Sequence, residues 1–199
     1  MKFSEERLIA ELGDDLPRIK RCILLGVQHY QEKLADESAI ISGNTRSNYI
    51  RDFIVFYAKR EFGNDSSVKI VERKRMLTFI FIKSEARIIL KFKKFDKYNR
   101  TSYSHTLQAI AFSTQGDLFP EYSRDRVNVH AGYKWNETAT EIECMIGLPN
   151  AIRGHAWCML IPNMGEIVTT MKKQEKTRVA KPQVRLKVTS IKSENEKAG

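Results

Sequence analysis

The chain is short of everything that usually announces a catalytic site. Its ten glycines stand singly, so neither the G-x-G-x-x-G turn of a dinucleotide site nor a Walker phosphate loop is present. Three cysteines, Cys22, Cys144 and Cys158, are odd in number and lack a framework spacing. That argues against a disulfide scaffold and for small buried hydrophobes. Four histidines (His29, His105, His130, His155) include no H-x-x-x-H pair, and no C-x-x-C occurs. His155 and Cys158 are three apart on an expected strand, hence on opposite faces, so no zinc site and no other cofactor is expected. No strand-turn-helix nucleophile elbow offers Ser/His/Asp catalysis. No apolar run approaches the roughly 18–20 residues of a membrane span. The opening MKFSEERLIAELGDD is too acidic and polar for a secretory signal. A cytoplasmic protein without a membrane partner is expected.

What the chain does have is positive charge in two places. Of a net +10, residues 1–66 hold 10 Lys/Arg against 11 Asp/Glu, and residues 101–171 hold 4 against 7. Residues 67–100 hold 11 against 3, and residues 172–199 hold 9 against 3. Clustered basicity favours a polyanionic ligand over scattered solubilising charge. An acidic protein partner would answer the same charge, and self-association stays open.

Apolar spacing divides the chain near Asp65. Ser4 is placed to cap a short helix over SEERLIAEL. Leu16, Ile19, Ile23, Val27, Tyr30 and Leu34 recur at three- and four-residue steps, predicting a helix over 15–36 with Pro17 in its first turn. Ser47 is the expected cap of a third helix through NYIRDFIVFYAKREF, which buries Ile50, Ile54, Tyr57, Ala58 and Phe62 and stops at Gly63-Asn64. After Asp65 the period becomes two. SVKIVERKR alternates, MLTFIFIK is apolar on both faces as a central strand, and ARIILKFKKF sets Ala86, Ile88, Leu90 and Phe92 on one face. A helix is expected over Thr101–Gln115 with Leu107, Ile110 and Ala111 inward, then strands in RVNVHAGYKW, ATEIECMIGL and GHAWCMLIP. The class is α+β: N-terminal helices, then a mostly antiparallel sheet with one inserted helix and a basic C-terminal tail. The helical segment 1–66 packs with the core 67–171 as one domain. Residues 172–199 form a partly disordered tail, in which QVRLKVTSI could add a strand.

The candidate binding surface lies in RIILKFKKFDKYNR. Opposite its apolar face it carries Arg87, Lys91 and Lys93, continuing into Lys94, Lys97 and Arg100. Lys172, Lys173, Lys176 and Arg178 add a second group in the tail. Cations on a strand can track a phosphate backbone, and Phe95, Tyr98 and Tyr103 are candidates for stacking on bases. Arg46, Arg51, Lys59 and Arg60 lie on the third helix, but Asp52 and Glu61 dilute them, and no helix-turn-helix is legible.

A metal-dependent nuclease of the PD-(D/E)XK kind would need an acid at a strand end, then E-x-K on the next strand. Asp65 followed by Glu72-Arg73-Lys74 is the nearest approach. Asp65 follows a helix, however, and no strand separates it from the Glu.

Phe92-Lys93-Lys94-Phe95-Asp96, the Gln108–Gln115 helix with its Q-x-x-x-F-x-x-Q pattern, Gly132-Tyr133 and Trp157 together form a recurring order. Over residues 45–161 the chain resembles an uncharacterised bacterial, mobile-element family with an F-K-K-[LF]-D segment. The resemblance implies genes neighbouring helix-turn-helix and zinc-peptidase-like regulators, and a role in regulation, toxin–antitoxin control or phage defence. It carries no catalytic residues over. The expected function is therefore a non-enzymatic regulatory or defence-related protein that contacts nucleic acid through its basic surface. An antitoxin or inhibitor module docking an acidic or regulatory protein is the first alternative, and the nuclease the second.

Overall fold

The change of period near Asp65 marks a real change of architecture. A computed structural model describes residues 3–34, 40–73, 76–102, 105–116, 118, 125–136, 141–150 and 154–163. Helices α1 (Glu5–Leu12), α2 (Asp15–Leu34) and α3 (Gly43–Phe62) come first. Strands β1 (Val68–Arg73), β2 (Met76–Ile82), β3 (Arg87–Lys94), β4 (Arg126–Trp135), β5 (Ile142–Asn150) and β6 (Gly154–Leu160) follow, with α4 (Leu107–Ser113) between β3 and β4. The class is α+β, with the helices preceding a mostly antiparallel sheet. No helix among the described residues is long and apolar enough to cross a membrane.

Ser4 caps α1 as its position predicts, its Oγ accepting the Arg7 N–H at 3.3 Å. The apolar stripe of α2 buries Leu16, Ile19, Cys22, Ile23, Val27 and Tyr30. Gly26 sits where α2 crosses α3, and a Cβ there would lie 2.6 Å from the Ile54 backbone nitrogen. Helix α3 begins a turn earlier than expected. Ser42 Oγ accepts the Thr45 N–H at 3.2 Å, so Ser42 is the cap. Ser47 instead donates to the Gly43 carbonyl inside the helix. Ser42-Gly43-Asn44 is thus the capping segment.

The strands lie side by side in sequence order, β1-β2-β3-β4-β5-β6. Every neighbouring pair is antiparallel except β3 and β4, which the α4 crossover joins in parallel. Phe79, Phe81, Ile88, Leu90, Phe92, Val129, Ala131, Tyr133 and Ile146 form one core with α2 and α3. Leu77 is only half-buried against it. Met76, Ile80 and Ile89 make a second, smaller core with Phe112 of α4. The apolar character of β2 on both faces thus reflects real burial on both. Helix α4 is shorter than the expected Thr101–Gln115. Thr106 caps it, Leu107 is 85% exposed, and Phe112 and Ser113 are the residues it buries. Thr101 instead bridges back to Phe95.

Two details fix the sheet around β4. A Cβ on Gly132 would fall 1.7 Å from the Lys93 carbonyl oxygen, so only glycine permits the β3–β4 approach at that point. Further along, the β4–β5 register would set Asn128 opposite Pro149, which has no N–H to offer. The Gln115 side chain fills that gap. Its Nε2 donates to the carbonyls of Asn128 (2.9 Å) and Pro149 (3.2 Å), and its Oε1 accepts the Asn128 N–H at 2.7 Å.

Ion pairs and hydrogen bonds tie the helices to the sheet. Arg18 reaches Asp15, Glu61 and Asp65 at 2.7–2.9 Å and lies over the Phe62 ring. Lys83, beyond β2, pairs with Asp15. On β6, the Trp157 indole donates to the Phe3 carbonyl at 2.9 Å, and Lys20 donates to the Ile161 carbonyl just past the strand.

Candidate nucleic-acid interface

Alternation along β3 puts Lys91 and Lys93 on the face opposite Ile88, Leu90 and Phe92. That face is not open solvent. Lys91 and Lys93 are half-buried rather than freely projecting, a departure from the sequence expectation. The cause is α4, whose Phe112 ring lies 5.8 Å from Lys91 Nζ, together with the returning chain, where the Ser102 carbonyl accepts from Lys93 Nζ at 3.1 Å. Burial pushes the Lys91 ammonium down to about 8, and the charges of Lys93 and Arg51 add to the shift. Lys93 is lowered too, by burial and then by Arg51. Among the described residues neither lysine has a carboxylate within ion-pair distance.

These lysines line a cleft of about 550 Å³ between α3, the β1–β2 hairpin end, β3 and the start of α4. Arg51 and Lys59 of α3 enter it beside Lys91, Lys93 and Lys94, with hydroxyls from Ser47, Ser102 and Thr106. Asp52 and Glu72 also lie on its wall, and Asp52 pairs with Arg51 at 2.8 Å. Cations remain in excess. Such a recess offers an anion several charge-assisted hydrogen bonds at once.

Of the residues named from the sequence, Lys91, Lys93 and Lys94 are brought together here. Lys97 and Arg100 sit in the adjoining turn around Tyr98, with Arg100 paired to Asp96 at 3.0 Å. Arg87 is at the far end of β3, about 13 Å from Lys91 along a strand rising about 3.3 Å per residue, and its guanidinium donates to the Lys83 carbonyl. Lys172, Lys173, Lys176 and Arg178 lie outside the described residues, as does Tyr103. Phe95 is buried and unable to stack on a ligand, whereas Tyr98 is 63% exposed. Arg51 and Lys59 gain their place from the α3–β3 packing, which their diluted charge pattern does not reveal.

Behind the cleft, His130 on β4 is the register partner of Lys91. Its Nδ1 lies 3.2 Å from both Thr101 Oγ1 and His155 Nε2, and its ring stacks on Phe112. Burial holds its pKa well below 6.5, with His155, Lys93 and Lys91 opposing its charge further. The β5–β6 register shifts between Leu148 and Pro149, where two β5 residues face three on β6. This bulge reverses the alternation, so His155 and Cys158 share a face and both border Gly147, contrary to the opposite faces expected from spacing. Still, no group of three His, Cys, Asp or Glu among the described residues is placed to hold a metal.

Of the nuclease candidates, Asp65 and Glu72 are not brought together. Both oxygens of Asp65 are engaged, Oδ1 by the Ser67 backbone and hydroxyl and Oδ2 by Arg18 at 2.7 Å. The Ser67 and Arg18 bonds hold this carboxyl down to about 2. Glu72 is exposed near the other end of β1, and Lys74 lies outside the described residues. No protein-family model, no curated protein and no solved structure matches the chain.

Proposed function

We propose that this chain is a non-enzymatic, regulatory nucleic-acid-binding protein whose cleft between α3, β3 and α4 receives phosphate groups. One observation carries the reading: Lys91 and Lys93 stand half-buried beside Arg51 without a carboxylate partner among the described residues. Like charges held together at a cost in solvation are stabilised when an anion arrives between them. Lys94, Lys97 and Arg100 extend the positive surface from the cleft to the Tyr98 turn.

A salt series on a labelled oligonucleotide tests it. Replacing Lys91, Lys93, Lys94 and Lys97 with Gln should weaken binding and flatten the slope of log affinity against log salt. The change in slope should be about 0.7–0.9 for each phosphate that the variant leaves without a cation. Deleting residues 172–199 should produce a separate loss. Affinity and slope unchanged in the quadruple variant would remove the nucleic-acid reading and leave an acidic protein as the cleft's partner.

A further inference from the structure

We infer that the nucleic acid bound here is single-stranded, with its backbone in the cationic cleft and a base stacked on Tyr98; this rests on the function proposed above. Tyr98 caps a turn whose shape is set by one carboxylate. Asp96 Oδ1 accepts the backbone N–H groups of Tyr98 and Arg100 at 2.8 Å each, and Oδ2 accepts Arg100 Nε at 3.0 Å. Asn99 takes a positive φ of 57° to close the turn, and its N–H donates to the Asp96 carbonyl. The ring is therefore presented on a braced support, yet 63% of the residue stays exposed.

Its surroundings suit a nucleotide. Lys97 Nζ lies 5.0 Å and Arg100 Cζ 4.7 Å from the ring centroid, both over the ring, so a stacking base takes the place of one of them and leaves that cation for the adjoining phosphate. Tyr98 also lines a second, open cleft together with Trp135 and Lys94. Lys94 belongs to both clefts, which makes the phosphate recess and the aromatic platform neighbouring stations on one surface. A positively charged groove beside an accessible aromatic is the arrangement that holds unpaired strands, because every base has a face to stack. In a duplex those faces are covered, and no helix among the described residues carries a legible major-groove reading pattern.

The test uses the full chain and fluorescence anisotropy with three probes: a labelled oligothymidylate, an abasic strand of equal length, and a duplex of equal length. Wild type should bind oligothymidylate more tightly than either of the others. Tyr98→Ala should weaken oligothymidylate binding by about five-fold to a hundred-fold, the usual range for one stacked base, and leave the abasic strand nearly unchanged. Tyr98→Phe should restore the loss. Equal losses on the thymidylate and abasic strands, no loss on either, or a duplex bound as tightly as the single strand would overturn the inference. Binding of all three probes that depends on Lys91 and Lys93 but not on bases would sink it alone. Failure to bind any probe would sink the phosphate-cleft reading with it.

Discussion

His130 and His155 face each other across Gly147, with Nδ1 of the first 3.2 Å from Nε2 of the second. The contact needs the glycine, because a Cβ there would lie 2.9 Å from His155 Cδ2 and 2.5 Å from Cys158 Sγ. Gly147→Ala should destabilise the protein by about 1–3 kcal/mol, the common range for overpacking. A denaturant midpoint equal to wild type would show that β6 gives way freely.

The buried pair also sets the acid response. The folded pKa of His130 lies below 6.5, so the unfolded chain binds more protons as pH falls from that value. Stability should therefore decline as pH is lowered through about 6.5, with His155 contributing in the same direction. His130→Gln should reduce the slope of unfolding midpoint against pH. An identical slope would assign the acid response to other groups.

Lys91 predicts the opposite limb. Its folded pKa of about 8 lies below the ordinary 10.5, so the folded state releases this proton first. The charge penalty is fully present below pH 8 and fades between 8 and 10.5, where stability should rise with pH. Lys91→Met should be more stable than wild type at neutral pH and lose that advantage in alkali. Oligonucleotide affinity should fall as pH rises through about 8 in wild type, and less so in Lys91→Arg. Anisotropy titrations across that range check the binding, and urea midpoints over the same range check the stability.

Gln115 stands in for a hydrogen-bond ladder that Pro149 interrupts. Gln115→Ala should cost about 1–3 kcal/mol, since the Asn128 backbone would lose its partners in a buried place. Amide exchange at Asn128 should accelerate by more than at Ile146. Equal protection in both proteins would mean that water replaces the side chain without loss.

Leu90 is fully buried between Phe79 on β2 and Val129 on β4 by register. Leu90→Ala should cost about 2–5 kcal/mol in a urea titration. No shift in midpoint would contradict the packing of β3.

Much of this was legible because periodicity is a local property. The stripe of Leu16, Ile19, Ile23 and Val27 could only be a helix face, and Ile88, Leu90 and Phe92 could only share a strand face. What depends on distant packing was not legible. Lys91 and Lys93 read as solvent-facing because nothing near them in sequence reveals that Phe112 and Ser102 return to cover them. Leu107 reads as inward on apolar character, yet the short α4 turns Phe112 to the sheet instead. Pro149 marks an interrupted ladder but not that β6 gains the extra residue, so the shared face of His155 and Cys158 escapes a strict count of two.

The sequential strand order has a consequence during synthesis. Each strand pairs with its predecessor as soon as that strand exists, so the sheet can grow by short closures and one crossover. The apolar stripe of α2, however, also contacts β4 and β5, which leave the ribosome about a hundred residues later. At about 5–20 residues per second that interval is on the order of ten seconds. Nascent α2 would spend it packed on α3 at Gly26 and Ile54 while its side toward β4 and β5 waited uncovered.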